Sequence, residues 1–227
     1  METEDLKLID KSPPAYKMPW SNFGSNPKKV LMEIFIIVFS ITLSIWLNNW
    51  SEHRKQVREG KEFLLDLSDD LKKDIKSMEE KNAGKSEILK TCLMVANFSP
   101  EQLDTVQNVS LNFALSTFKA NNGNYEGFKS SGKIGYIKDN DLKKQILEYY
   151  QEYIPALYDV DKYQYSKHLE VWEQLNALDQ KNSLNNPVLR SKIILDAQIT
   201  EALIDAYDNT IQKADSIIKK IDGGVGK

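Results

Sequence analysis

The chain has 227 residues, of which 28% are charged and 41% hydrophobic, and its formal net charge is −3. This length fits one domain of ordinary size plus an appendage. The apolar content excludes disorder throughout, the balanced charge leaves no whole-protein footprint for nucleic acid, and the lone Cys92 excludes an intramolecular disulfide.

Residues 1–27 hold Pro13, Pro14, Pro19, Pro27 and Gly24 among polar residues, a composition that predicts a disordered tail. Pro13-Pro14-Ala15-Tyr16 has the form of a peptide-docking motif, although short Pro-rich matches of this kind are common. From Val30 to Leu47 the chain is apolar except for Glu33, Ser40, Thr42 and Ser44. At helical rise this run covers roughly 27 Å, close to a hydrocarbon core of about 30 Å. Trp46 and Trp50 stand where an interfacial aromatic belt belongs. The expectation is a transmembrane helix over residues 28–50. A cleaved signal peptide is the rival, but no small-residue cleavage pattern follows the run. A buried core helix is the remaining alternative. Glu33, one turn into the run, would reach headgroup water or Lys29 rather than mark a proton path.

Lys11, Lys17, Lys28 and Lys29 precede the run, and Arg54, Lys55, Arg58 and Lys61 follow it, so the positive-inside count is a tie. Lys28 and Lys29 abut the run, and a short basic tail is hard to export, whereas long domains translocate largely regardless of charge. The expected topology is an inner-membrane, single-pass protein with its N-terminus in the cytoplasm and its C-terminal domain in the periplasm. A cytoplasmic C-terminal domain is the alternative.

Beyond the run, Phe63, Leu64, Leu67, Leu71, Ile75 and Met78 recur at helical spacing among charged residues. The span should thus continue as one long helix into the next domain, pausing or bending near Gly60 and breaking near Gly84. Ser99-Pro100-Glu101-Gln102 carries a capping-box pattern that opens a second helix to about Phe118. Ala120 to Asp139, rich in Asn, Gly, Ser and Lys, reads as irregular. Asn140 then caps a helix bearing Leu142, Ile146, Tyr149, Tyr150 and Tyr153, which Pro155 should kink before the pattern resumes through Leu169 and Trp172. Asn186-Pro187 opens a last helix whose stripe from Ile193 to Ile221 holds until Gly223-Gly224. Strand alternation is not evident. The predicted fold is all-α, with the N-terminal transmembrane helix continuing into an elongated antiparallel bundle of about four helices. Residues 51–222 form that bundle, with coiled-coil character, and 223–227 a flexible C-terminus.

No residue set assembles into a catalytic, cofactor or metal site. Gly127-Phe-Lys-Ser-Ser-Gly132-Lys133 has phosphate-loop spacing, but Ile134 replaces the magnesium-binding hydroxyl and no strand precedes it. His53 and His168 lie far apart without ligand-spaced neighbours and read as surface histidines. Ser130 and Ser131 lack a base and an orienter, so capping or loop hydrogen bonding is their expected role. Tyr149, Tyr150, Tyr153, Tyr158, Tyr163, Tyr165 and Trp172 could stack a ligand, yet their spacing favours core packing.

Two stretches carry a family resemblance. Leu31-Met-Glu33-Ile running to Asn48-Asn49-Trp50-Ser-Glu52, and Tyr125-Glu-Gly-Phe-Lys-Ser130-Ser131-Gly132-Lys133-Ile134 leading to Ile146-Leu-Glu-Tyr149-Tyr150, resemble uncharacterised single-span membrane proteins of Bacteroidota that share a domain of unknown function. The resemblance covers roughly residues 28 to 155 and implies an inner-membrane protein with a helical domain and no assigned catalytic residue. Ile134 stands where those proteins tend to have Leu. Bacteroidota O-glycosylate exported proteins at Asp-Ser/Thr-aliphatic triplets, and Asp104-Thr105-Val106 and Asp215-Ser216-Ile217 fit that pattern. The expected function is a membrane-anchored helical interaction module without catalysis, a scaffold or accessory subunit of an envelope complex. Its expected partners are the lipid bilayer, other envelope proteins and a second copy of the chain, and not nucleic acid. The alternative is a ligand-sensing ectodomain that signals through a separate protein.

Overall fold

A computed structural model describes residues 26–99, 102, 116–177 and 184–225. The predicted tail, its Pro13 to Tyr16 motif and the Asp104 triplet lie outside these residues. The chain divides into two compact units, Met1–His53 and Arg54–Lys227. Helix α1, Pro27–Ala96, contributes to both. All other elements belong to the second unit: α2 (Gly123–Ser130), a 3-10 turn (Lys133–Tyr136), α3 (Asn140–Glu148), a π turn (Tyr149–Tyr153), α4 (Ile154–Ala177) and α5 (Pro187–Val225). The fold is all-α, and no strand occurs among the described residues.

In the first unit, every residue from Leu31 to Trp50 is exposed. This part of α1 reaches a mean hydropathy of 2.4, which makes it one helix long and apolar enough to cross a membrane. The hydroxyls of Ser40, Thr42 and Ser44 donate to the carbonyls of Ile36, Val38 and Ser40, so the helix satisfies its own polar side chains.

In the second unit, α1 packs through Phe63, Leu67, Leu71, Met78, Ile88, Cys92 and Val95. It runs through Gly60 and Gly84 without a break. The expected interruptions do not occur because a glycine costs a helix only about 1 kcal/mol, and the core packing on either side outweighs that. Ion pairs and hydrogen bonds tie Asp141 to Lys220, Glu148 to Lys213, Gln164 to Thr200 and His168 to Asp196. These pairings make α5 antiparallel to α3 and α4. Asn82 bonds Asp208 while Cys92 faces Asp196, so α5 is antiparallel to α1 as well. Lys85 meets Asp161 and Gln164, which leaves α1 and α4 parallel. Two parallel helices need a long return, and residues 97–139 supply it.

That return departs from expectation. Ser99 and Gln102 form the reciprocal capping box, each backbone N–H bonding the other's side chain. Most of the helix expected from there lies outside the described residues, but Ser116 to Asn122 is not helical. Its amides are taken by side chains instead: Phe118 N–H donates to Asp161, Ala120 N–H to the Tyr158 hydroxyl and Asn121 N–H to Asp74. The stretch expected to be irregular contains α2 and the 3-10 turn. Helix α2 forms because Tyr125 and Phe128, three apart, share a face: Phe128 stacks on Phe63 at 3.9 Å and Tyr125 on Tyr150 at 4.1 Å.

The cap of α3 is Asp139 rather than Asn140, since its carboxylate accepts the amides of Asp141 and Leu142. Pro155 stands at the second position of α4, directly after the π turn, and the helix continues through it. Asn186 caps α5 through the Val188 amide, with Pro187 at the first helical position. The helix continues past Gly223 and Gly224 to Val225.

Candidate functional site

The core of the second unit is two apolar clusters. One centres on Leu67, Leu71, Ile146, Tyr149, Leu203 and Ile217, the other on Ile88, Cys92, Val171, Leu189 and Ile193. Between them lies a layer of buried polar side chains: Lys85 from α1, Asp161, Gln164 and His168 from α4, and Asp196 and Thr200 from α5. They occupy core positions because their spacing continues the stripes. Asp161, Gln164 and His168 fall between Leu157 and Val171, and Asp196 and Thr200 between Ile193 and Leu203.

The layer is bonded internally. Lys85 Nζ donates to Gln164 Oε1 at 2.6 Å and lies 3.5 Å from Asp161 Oδ1. Asp161 Oδ2 accepts the Phe118 amide at 2.8 Å and the Tyr207 hydroxyl at 3.3 Å. Gln164 Nε2 donates to Asp196 Oδ1 and to Thr200 Oγ1, each at 3.2 Å. His168 Nδ1 sits 2.5 Å from Asp196 Oδ2, which also faces Cys92 Sγ at 3.9 Å. Burial lowers the Lys85 pKa, and Asp161 opposes that shift. The Cys92 thiol is pushed up to about 12, first by burial and then by the Asp196 charge. A nucleophilic thiol requires the opposite shift.

Asp161 also borders an open, mostly apolar groove of about 500 Å³ lined by Thr117, Phe118, Ala120, Tyr158 and Lys162. A second buried carboxylate, Asp74, accepts the backbone and side-chain N–H groups of Asn121, while burial raises its pKa. Burial likewise raises the hydroxyls of Tyr149 and Tyr150.

The other sequence candidates disperse. The phosphate-loop match is half helix: the Ser131 and Gly132 amides donate to Gly127 and Lys129 carbonyls, and Lys133 is paired with Glu59 at 3.2 Å. The hydroxyls of Ser130 and Ser131 bond carbonyls three residues back. His53 is exposed, whereas His168 is 2% exposed and belongs to the polar layer, correcting the surface reading. Tyr149 and Tyr150 pack in the core, but Tyr163 and Trp172 are exposed. The triplet at Asp215 lies within α5, with Ile217 buried, Ser216 half-buried and its hydroxyl 3.5 Å from Gln145 Oε1. Sequence reading missed Lys85, Asp161, Gln164, Asp196 and Thr200. The available signal was polar residues standing at core positions of otherwise apolar stripes.

An apolar, fully exposed helical segment followed by helices packed around a polar layer defines an all-α protein with, among the described residues, one candidate membrane span. The chain belongs to a family of unknown function, DUF6090, whose model matches residues 33–197. No curated protein and no solved structure matches it.

Proposed function

We propose that this protein is anchored in a membrane by α1 and that its helical domain acts as an interaction module, a scaffold or accessory subunit without catalysis of its own. The observation that carries the reading is the run of exposed apolar side chains from Leu31 to Trp50, which water would not tolerate on an isolated helix. The absence of catalysis rests on the polar layer: its acid, base and thiol groups are bonded to one another inside the core, where their chemistry serves packing specificity. The N-terminus lies in the cytoplasm and the helical domain in the periplasm. Protease added to spheroplasts should remove an epitope tag placed after Lys227, and survival of the tag until lysis would put the domain in the cytoplasm. In-cell crosslinking from exposed positions of α4 and α5 should capture a defined partner or a second copy. Capture of nothing would count against the interaction role.

The groove beside Phe118 and Tyr158 favours a second reading, a ligand sensor. Its volume falls within the range of small-molecule sites, and it abuts Asp161 of the buried layer. A sensor must be stabilised by its ligand through mass action, so a flat thermal-shift response across a small-molecule panel would speak against it.

A further inference from the structure

A cavity of about 190 Å³ lies within the helical domain where α1, the 3-10 turn and the end of α5 meet. Its interior is apolar: Val57 and Leu64 from α1, Ile137 and Leu142 from the turn and α3, and Ile221 from α5. Its charged lining residues are Lys61, Lys138 and Lys220 with one carboxylate, Asp139. Nearby carboxylates are already engaged. Asp139 caps α3, Asp141 holds Lys220, and Glu59 holds Lys133. Among the described residues, neither Lys61 nor Lys138 has an ion-pair partner, and both are exposed.

We propose that this cavity is a binding site for an anionic phospholipid, with the end of an acyl chain inserted between Val57, Leu64 and Ile221 and the phosphate held by Lys61 and Lys138. The size fits part of one lipid and excludes a drug-sized molecule, which needs roughly 300 Å³ or more. Charge complementarity selects the occupant, since Lys61 and Lys138 outnumber the one carboxylate of the lining, Asp139, and an excess of ammonium beside an apolar hole matches a phosphate carried on a hydrocarbon chain.

The inference rests on the proposal that α1 spans the membrane, and the experiment separates the two. The full chain is reconstituted into vesicles of phosphatidylcholine alone or mixed equally with phosphatidylglycerol, floated through a density gradient, and its retained lipids are counted by native mass spectrometry after gentle detergent release. Flotation on both vesicle types reports anchoring. Retention of phosphatidylglycerol about tenfold over phosphatidylcholine reports the site. The double variant Lys61→Gln, Lys138→Gln, at two exposed positions, should float normally and lose that preference, and Val57→Trp should reduce retention by filling the cavity. Glycerol phosphate, which lacks chains, should not compete. A floated protein with no preference, a preference unchanged in the double variant, or full competition by glycerol phosphate overturns the lipid site while leaving the anchor standing. A protein that stays at the bottom of the gradient overturns the anchor, and the lipid site falls with it.

Discussion

His168 Nδ1 and Asp196 Oδ2 lie 2.5 Å apart across the α4–α5 interface, with both side chains buried at 2% and 0% exposure. The contact places an ionisable pair at the junction of the two apolar clusters, and Lys85 with Asp161 forms another such pair in the same layer. Removing one member of a buried pair strands the other, which costs about 3–5 kcal/mol. Lys85→Met and Asp196→Ala should each destabilise the helical domain by roughly that amount in urea unfolding of the detergent-solubilised chain. Losses below about 1 kcal/mol would show that the layer is solvated in solution.

Cys92 yields a prediction about reactivity and pH. Its thiol is fully buried and raised from 9.0 to about 12. The native protein should therefore resist iodoacetamide at neutral pH and label rapidly only after unfolding. Because the folded state holds the proton more tightly than the unfolded state, the thiol's contribution to stability is complete below about pH 9. It is lost as the pH rises toward about 12. Cys92→Ala should flatten that part of the stability–pH curve, and an unchanged curve would contradict the assignment.

Gly60 and Gly84 lie on the same helix in different surroundings. A β-carbon on Gly60 would stand 3.1 Å from the carbonyl oxygen of Tyr136, whereas one on Gly84 meets nothing within 4 Å. Gly84→Ala should stabilise by about 0.5–1 kcal/mol through helix propensity alone. Gly60→Ala should gain less or lose, because the 3-10 turn must move to admit the methyl group. Thermal melts of the two variants test the contrast, and equal gains would refute the close approach.

The helical pattern, the apolar run and the start of α5 at Asn186-Pro187 were legible because each is written in local spacing and capping chemistry. What escaped depends on residues distant in sequence. Helix α2 was hidden among Asn, Gly and Lys because its two anchoring rings find partners on Phe63 and Tyr150, far along the chain. The non-helical run through Phe118 is fixed by acceptors on Asp74, Tyr158 and Asp161. The polar layer was present as a pattern, yet polar residues on a stripe look like its solvent edge until α1, α4 and α5 close around them. Gly60 and Gly84 misled for the complementary reason, since local propensity was read without the packing that overrides it.

The start of α3 separates two adjacent residues. Asp139, not Asn140, accepts the Asp141 and Leu142 amides. Asp139→Ala should cost about 1 kcal/mol, and Asn140→Ala should be nearly neutral. The reverse order in chemical denaturation would move the cap.

The central claim is that the segment from Leu31 to Trp50 crosses a bilayer, and alkaline carbonate extraction of membranes from cells making the full chain tests it most directly. Carbonate strips proteins held by charge or by peripheral contact and leaves those whose apolar helices are embedded in hydrocarbon. The protein should remain entirely in the membrane pellet. Its release into the supernatant would contradict the claim and require the exposed apolar face of α1 to be covered by protein instead.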